Sequence, residues 1–120
     1  MINAQKPKQR LEAMFHAIDT ADWADFAQFF RSEVVYERPG HPDIFGIDAL
    51  LYFYRDTRVI AEGEHVLTAA LADDDHAICF GYFKGRSKSG EELAERFADA
   101  YELRNGLICK WTTYFFRAAI

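Results

Sequence analysis

Residues 91–103 read EELAERFADAYEL, and the fold turns on how they are read. Their composition suits a helix, with Leu93, Phe97 and Ala100 or Tyr101 along one side. Directly beyond stands Asn105-Gly106, the strongest short hairpin signal, followed by LICKWTTYFF, plainly a strand. A hairpin turn needs a strand on both sides, so residues 92–104 are read as a strand. Phe97, Asp99 and Tyr101 then share one face, and Arg96, Ala98 and Ala100 take the other.

Upstream, Ser87-Lys88-Ser89-Gly90 forms a turn, and His76 to Lys84 is an aromatic-rich strand. Asp73-Asp74-Asp75 makes another turn. Before it, beyond Gly63, Val66, Thr68 and Ala70 alternate with Leu67, Ala69 and Leu71, the period of a strand. Further back the period lengthens. Leu11, Met14, Phe15 and Ile18 form the stripe of an amphipathic helix over Gln9 to Ile18, which Asp19-Thr20-Ala21-Asp22 breaks. Trp23, Phe26, Phe29 and Phe30 predict a second short helix. A third starts near Gly46 or Ile47, with Asp48 in its first turn, and carries Leu50, Leu51, Tyr54 and Val59. Between these helices Val34, Val35 and Tyr36 begin a strand that Glu37 and Arg38 end, just before Pro39-Gly40-His41-Pro42.

The order is helix, helix, strand, helix, then four strands joined by hairpins. That predicts one α+β domain over 1–120, a curved antiparallel sheet with helices packed on one face. A chain of 120 residues can bury one core but not two. Half its residues are hydrophobic and 16% aromatic, which excludes disorder and suits a core or a pocket for flat apolar ligands. The net charge is -5, and no basic cluster exceeds KPKQR, so nucleic acid is not an expected partner. No apolar run reaches the roughly 20 residues of a membrane span. The N-terminus has no apolar signal stretch, and a cytoplasmic protein is expected. Cys79 and Cys109 read as reduced core thiols, no spacing suggests a metal site, and no cofactor motif appears.

Three residues stand out as chemistry. Glu37 ends an apolar strand, where a solvated strand end is the ordinary reading and a base in a pocket the alternative. Asp99 lies mid-strand between two aromatics on its face, a position disfavoured unless the group has a task. Tyr54 sits on the third helix, where core packing is the ordinary reading. His41 lies in the loop at the expected mouth, while His65 and His76 flank a hairpin and read as surface. Trp111 and Tyr114, three apart on the last strand, face opposite sides.

VYERPGHPDIFGIDALLYFYRD, FADAYELRNGLI and WTTYF, in that order, resemble the NTF2-like (cystatin-like) superfamily, particularly its steroid delta-isomerase and SnoaL-like polyketide cyclase branches. The resemblance runs from about Leu11 to Phe116 and implies a conical pocket between helices and sheet. By the isomerase pattern Glu37 falls at the general base, Asp99 at the carboxylic acid of the oxyanion hole and Tyr54 at its supporting tyrosine. His41, Phe97, Tyr101, Trp111 and Met14 would surround the substrate. Met14 replaces the principal oxyanion tyrosine, and a thioether donates no hydrogen bond; losing such a donor costs about 3 kcal/mol of transition-state stabilisation. The resemblance implies acid–base chemistry without a cofactor on an apolar carbonyl- or epoxide-bearing molecule, by isomerisation, aldol cyclisation or epoxide opening. The alternative is a non-catalytic small-molecule-binding or accessory protein that uses the same pocket, or the sheet as an interaction surface. Relatives commonly dimerise through the outer sheet face, where Arg96, Lys110, Thr112 and several aromatics are expected, so a homodimer is expected too.

Overall fold

The computed structural model describes residues 6–117. Helices α1 (Lys6–Asp19) and α2 (Trp23–Ala27) precede strand β1 (Phe30–Glu37), the short β2 (Ile44–Phe45) and helix α3 (Ile47–Tyr52). Four long strands follow: β3 (Ile60–Ala72), β4 (His76–Ser87), β5 (Glu92–Arg104) and β6 (Leu107–Phe115). The ambiguous segment is thus a strand. Asn105 and Gly106 both take positive φ, 52° and 79°, the geometry a tight two-residue hairpin requires.

The α1 stripe of Leu11, Met14, Phe15 and Ile18 is buried against the sheet, as its spacing requires. Asp22 caps α2 by accepting the Asp25 N–H at 3.2 Å. Phe30, expected on that helix, begins β1 instead. Its neighbour Phe29 already accepts a hydrogen bond from the Ile108 N–H at 2.9 Å, so the sheet competes successfully for this backbone. Helix α3 ends in a wider π-helical turn over Phe53–Thr57, closed by the Arg58 N–H donating to the Phe53 carbonyl at 2.9 Å. Val59 lies beyond this turn and is exposed. No described helix is long and apolar enough to cross a membrane.

The sheet has six strands, β1 and the short β2 joining the four long ones, in the order β2-β1-β6-β5-β4-β3. All neighbours are antiparallel except β1 and β6, which run parallel with Tyr36 opposite Trp111 and Glu37 opposite Thr112. Register shifts within β1–β6, β3–β4 and β5–β6 bend the sheet around the helices. On its concave face Trp111 is the centre of the core. Its ring stacks on Tyr36 at 4.3 Å, Tyr54 at 5.7 Å, Phe30 at 5.7 Å and Tyr101 at 5.9 Å. Each such pair adds about 0.5–1.5 kcal/mol beyond area burial. The aromatics therefore fill the cone far more than they line an empty one.

Candidate functional site

A cavity of about 20 Å³ remains in the cone. That is room for about one water, not for the flat apolar molecule the composition suggests. Its walls mix aromatic rings with Asp99, Arg38, Arg58, His65, Glu95, Tyr36, Tyr54 and Thr113.

Asp99 stands on β5 with Phe97 and Tyr101, all facing inward. It is 2% exposed, and burial pushes its carboxyl up to about 6, against the opposing influence of Thr113, Tyr101, Trp111 and the Arg38 charge. The Tyr101 hydroxyl donates to Asp99 Oδ2 at 3.1 Å. Behind it Cys79 Sγ lies 3.6 Å from the same hydroxyl, its thiol pushed up to about 12 by burial first and the Asp99 charge second. Asp99 Oδ1 and Trp111 Nε1 are buried without a hydrogen-bond partner. Such groups cost stability, so each asks for an explanation.

Tyr36 Oη is the hub of a second network. Arg38 Nη1 donates to it at 3.0 Å and Tyr54 Oη at 3.3 Å. With two donors arriving, the Tyr36 proton goes to Thr113 Oγ1, 2.8 Å away. Burial raises the Tyr54 hydroxyl well above its ordinary range, so it remains a neutral donor. The π-helical turn brings Arg58 under Tyr54, its guanidinium 4.9 Å from the ring centroid.

His65 completes the wall. Asp19, at the end of α1, accepts from its backbone N–H at 2.8 Å and lies 2.6 Å from its Nδ1. That grip assigns the proton to Nδ1 and leaves Nε2 as an acceptor. The ring packs on Phe15 and Phe83, each at 4.6 Å. Burial lowers its pKa, Asp19 working against the shift, so the imidazole is neutral. His65 is therefore not a surface residue; its partner, distant in sequence, draws it inward. His76 is exposed, with its N–H held by Asp73 Oδ1 in the turn.

Tyr54, Phe97, Trp111 and Asp99 meet at the cavity, and Tyr101 supports Asp99 from behind. Glu37 does not join them. Pairing of Tyr36 with Trp111 turns Tyr36 inward, so alternation sends Glu37 to the outer face. There it accepts from Thr112 Oγ1 at 2.8 Å and lies 3.6 Å from Lys110 Nζ. Arg38, next along the strand, takes the inward position at the cavity. Met14 is core packing, fully buried but outside the cavity wall. His41 packs on Phe53 at 4.9 Å, with Nδ1 2.7 Å from the Pro42 carbonyl, also outside the wall.

Residues 11–111 match the SnoaL-like domain family. The chain belongs to that family. Solved structures agree on the NTF2-like fold of this SnoaL-like domain. An LEH-like epoxide hydrolase from M. tuberculosis is 18% identical, with 93% of this chain and 84% of that one covered at a TM-score of 0.78. TerC, crystallised with polyporic acid, is 14% identical over 91% and 90% of the chains, TM-score 0.77. A protein of ketosteroid isomerase-like fold from Catenulispora acidiphila, bound to trimethylamine, is 16% identical over 93% and 86%, TM-score 0.78. At these identities the likeness speaks for the fold alone. Among curated proteins none matches in sequence.

Proposed function

We propose that this SnoaL-like domain is a cofactor-free acid–base enzyme of isomerase or cyclase type, acting on a small carbonyl- or epoxide-bearing molecule at Asp99. The observation that carries this reading is the Asp99 carboxyl, fully buried yet with one oxygen unpartnered, on a cavity that His65 and two arginines share. A carboxyl near pKa 6 gives and takes protons readily at neutral pH. As carboxylate it would accept a proton from carbon next to a carbonyl; as acid it would return that proton to another carbon. Arg38 and Arg58 supply hydrogen-bond donors for the oxygen on which charge develops, and Tyr54 joins them if its O–H turns from Tyr36. His65, neutral and oriented by Asp19, is a second proton acceptor. The cavity must widen to admit a substrate, and Glu95 marks the end nearest solvent, because its partner Arg117 is 65% exposed.

The test is turnover of small enone, β-keto and epoxide compounds followed by chromatography. Asp99→Ala should lose about a hundredfold or more, as deletions of buried catalytic donors do. Equal turnover by wild type and Asp99→Ala would remove Asp99 from the chemistry.

The tightness of the cone favours a second reading, in which the domain is an accessory protein that works through its sheet. Phe80, Tyr82, Tyr114 and Phe116 stand exposed around a groove of about 840 Å³ on the outer face. A homodimer through that face suits both readings, since an uncovered apolar patch is costly.

A further inference from the structure

Arg38 and Arg58 line the same cavity. Arg38 is 9% exposed, and it donates to the Tyr36 hydroxyl. Its guanidinium otherwise lies over two rings, 5.3 Å from the Phe53 centroid and 5.1 Å from that of Phe115. Arg58 rests on Tyr54, and its Nε is buried with no hydrogen-bond partner. Among the described residues neither has a carboxylate salt-bridge partner. Of the nearby acids, Glu95 is gripped by Arg117 and Asp19 holds His65; Asp99 shares the cavity and its charge acts on Arg38, but it makes no salt bridge to either arginine.

Two cations largely removed from water face one cavity with the single acid Asp99 free to set against them, and the positive charge left over opposes folding. Rings soften the cost but do not neutralise the charge. Such a pair is stable only at a net loss that an anion entering the cavity would recover. Guanidinium geometry favours a planar, two-oxygen anion, which a carboxylate provides. At about 20 Å³ the cavity holds about one water, so the anion enters only as the cavity widens, which favours a small acid over a bulky one.

We propose that the ligand is a small organic carboxylate, held by its carboxylate between Arg38 and Arg58. Its carbon chain then faces Asp99 and His65. This rests on the acid–base reading only for what happens after binding; the clamp itself follows from the arginines. Binding the acid's charge at the arginines leaves the adjacent carbonyl free for enolisation, with Asp99 as proton carrier.

Pyruvate and its neutral isostere pyruvamide are the probes, in titrations of the full chain followed by amide chemical shifts. Pyruvate should bind, with shifts centred on β1, β5 and the turn carrying Arg58, while pyruvamide should not. Arg38→Met and Arg58→Met should each weaken pyruvate binding about tenfold or more. If Arg38→Met does not fold, Arg58→Met, at a less buried position, decides. Pyruvamide binding as well as pyruvate, absence of pyruvate binding, or undiminished binding by a folded arginine variant would each overturn the clamp. Deuterium uptake into the pyruvate methyl group reports the chemistry separately. There a C3 proton passes to Asp99, the enolate forms, and a solvent deuteron exchanged onto the acid returns to C3. Binding without Asp99-dependent exchange would keep the clamp and overturn the acid–base reading.

Discussion

His65 Nδ1 lies 2.6 Å from Asp19 Oδ1, joining the end of α1 to β3 across 46 residues of chain. The same carboxylate also holds the His65 backbone N–H, so one side chain fixes both the strand and the imidazole tautomer. Asp19→Asn removes the charge and one of two acceptor oxygens. It should cost about 1–3 kcal/mol in urea unfolding, the usual range for a buried charge-assisted bond. Asp19 holds the His65 pKa up against burial, so the variant should titrate lower still. In the wild type the depressed pKa means that the unfolded chain binds this proton first. Stability is therefore lost as pH falls below about 6.5, towards the lowered pKa of the folded state. Imidazole nitrogen shifts unchanged by Asp19→Asn would show that Asp19 does not set the tautomer.

Asp99 has the opposite pH sign. Its carboxyl is raised from 3.8 to about 6, so between these values the folded protein holds a proton that the unfolded chain has released. Above pH 6 the buried charge costs about 3 kcal/mol, and the cost disappears as pH falls towards 4. Asp99→Asn should raise the melting temperature at pH 8 and change it little at pH 4. An equal effect at both would mean that the carboxyl titrates normally.

Glu37→Gln tests the outward position of that side chain. Its partners Thr112 and Lys110 are on the half-exposed outer surface, where a single charge contributes about 0–1 kcal/mol. Stability and any pyruvate affinity should stay within that small range. A tenfold loss of binding would place Glu37 in the cavity after all.

The outer face makes its own prediction. Tyr114, 57% exposed beside Phe80 and Tyr82, would sit inside a homodimer. Tyr114→Glu buries a charge in that interface and should give a 13.9 kDa species by light scattering where the wild type is twice as heavy. A wild type that is monomeric at micromolar concentration would refute the dimer.

Asn105-Gly106 was enough to make residues 92–104 a strand, because the two positive φ values it adopts fit a hairpin and not a continuing helix. Strand alternation then put Asp99 beside Phe97 and Tyr101, a relationship local to five residues. The helical stripe of α1 was local in the same way. Which face of β1 turns inward was not. Alternation says only that Tyr36 and Glu37 point oppositely; the parallel pairing of β1 with β6, Tyr36 against Trp111, decides that Arg38 rather than Glu37 reaches the cavity. His65 reads as a surface residue until Asp19 meets it through the docking of α1 on β3. The size of the cavity depended on the whole fold as well. Composition counts aromatic rings, but only tertiary packing decides whether they line a space or fill it, because close-packed rings such as Tyr36, Tyr54 and Trp111 leave no volume that their number could reveal.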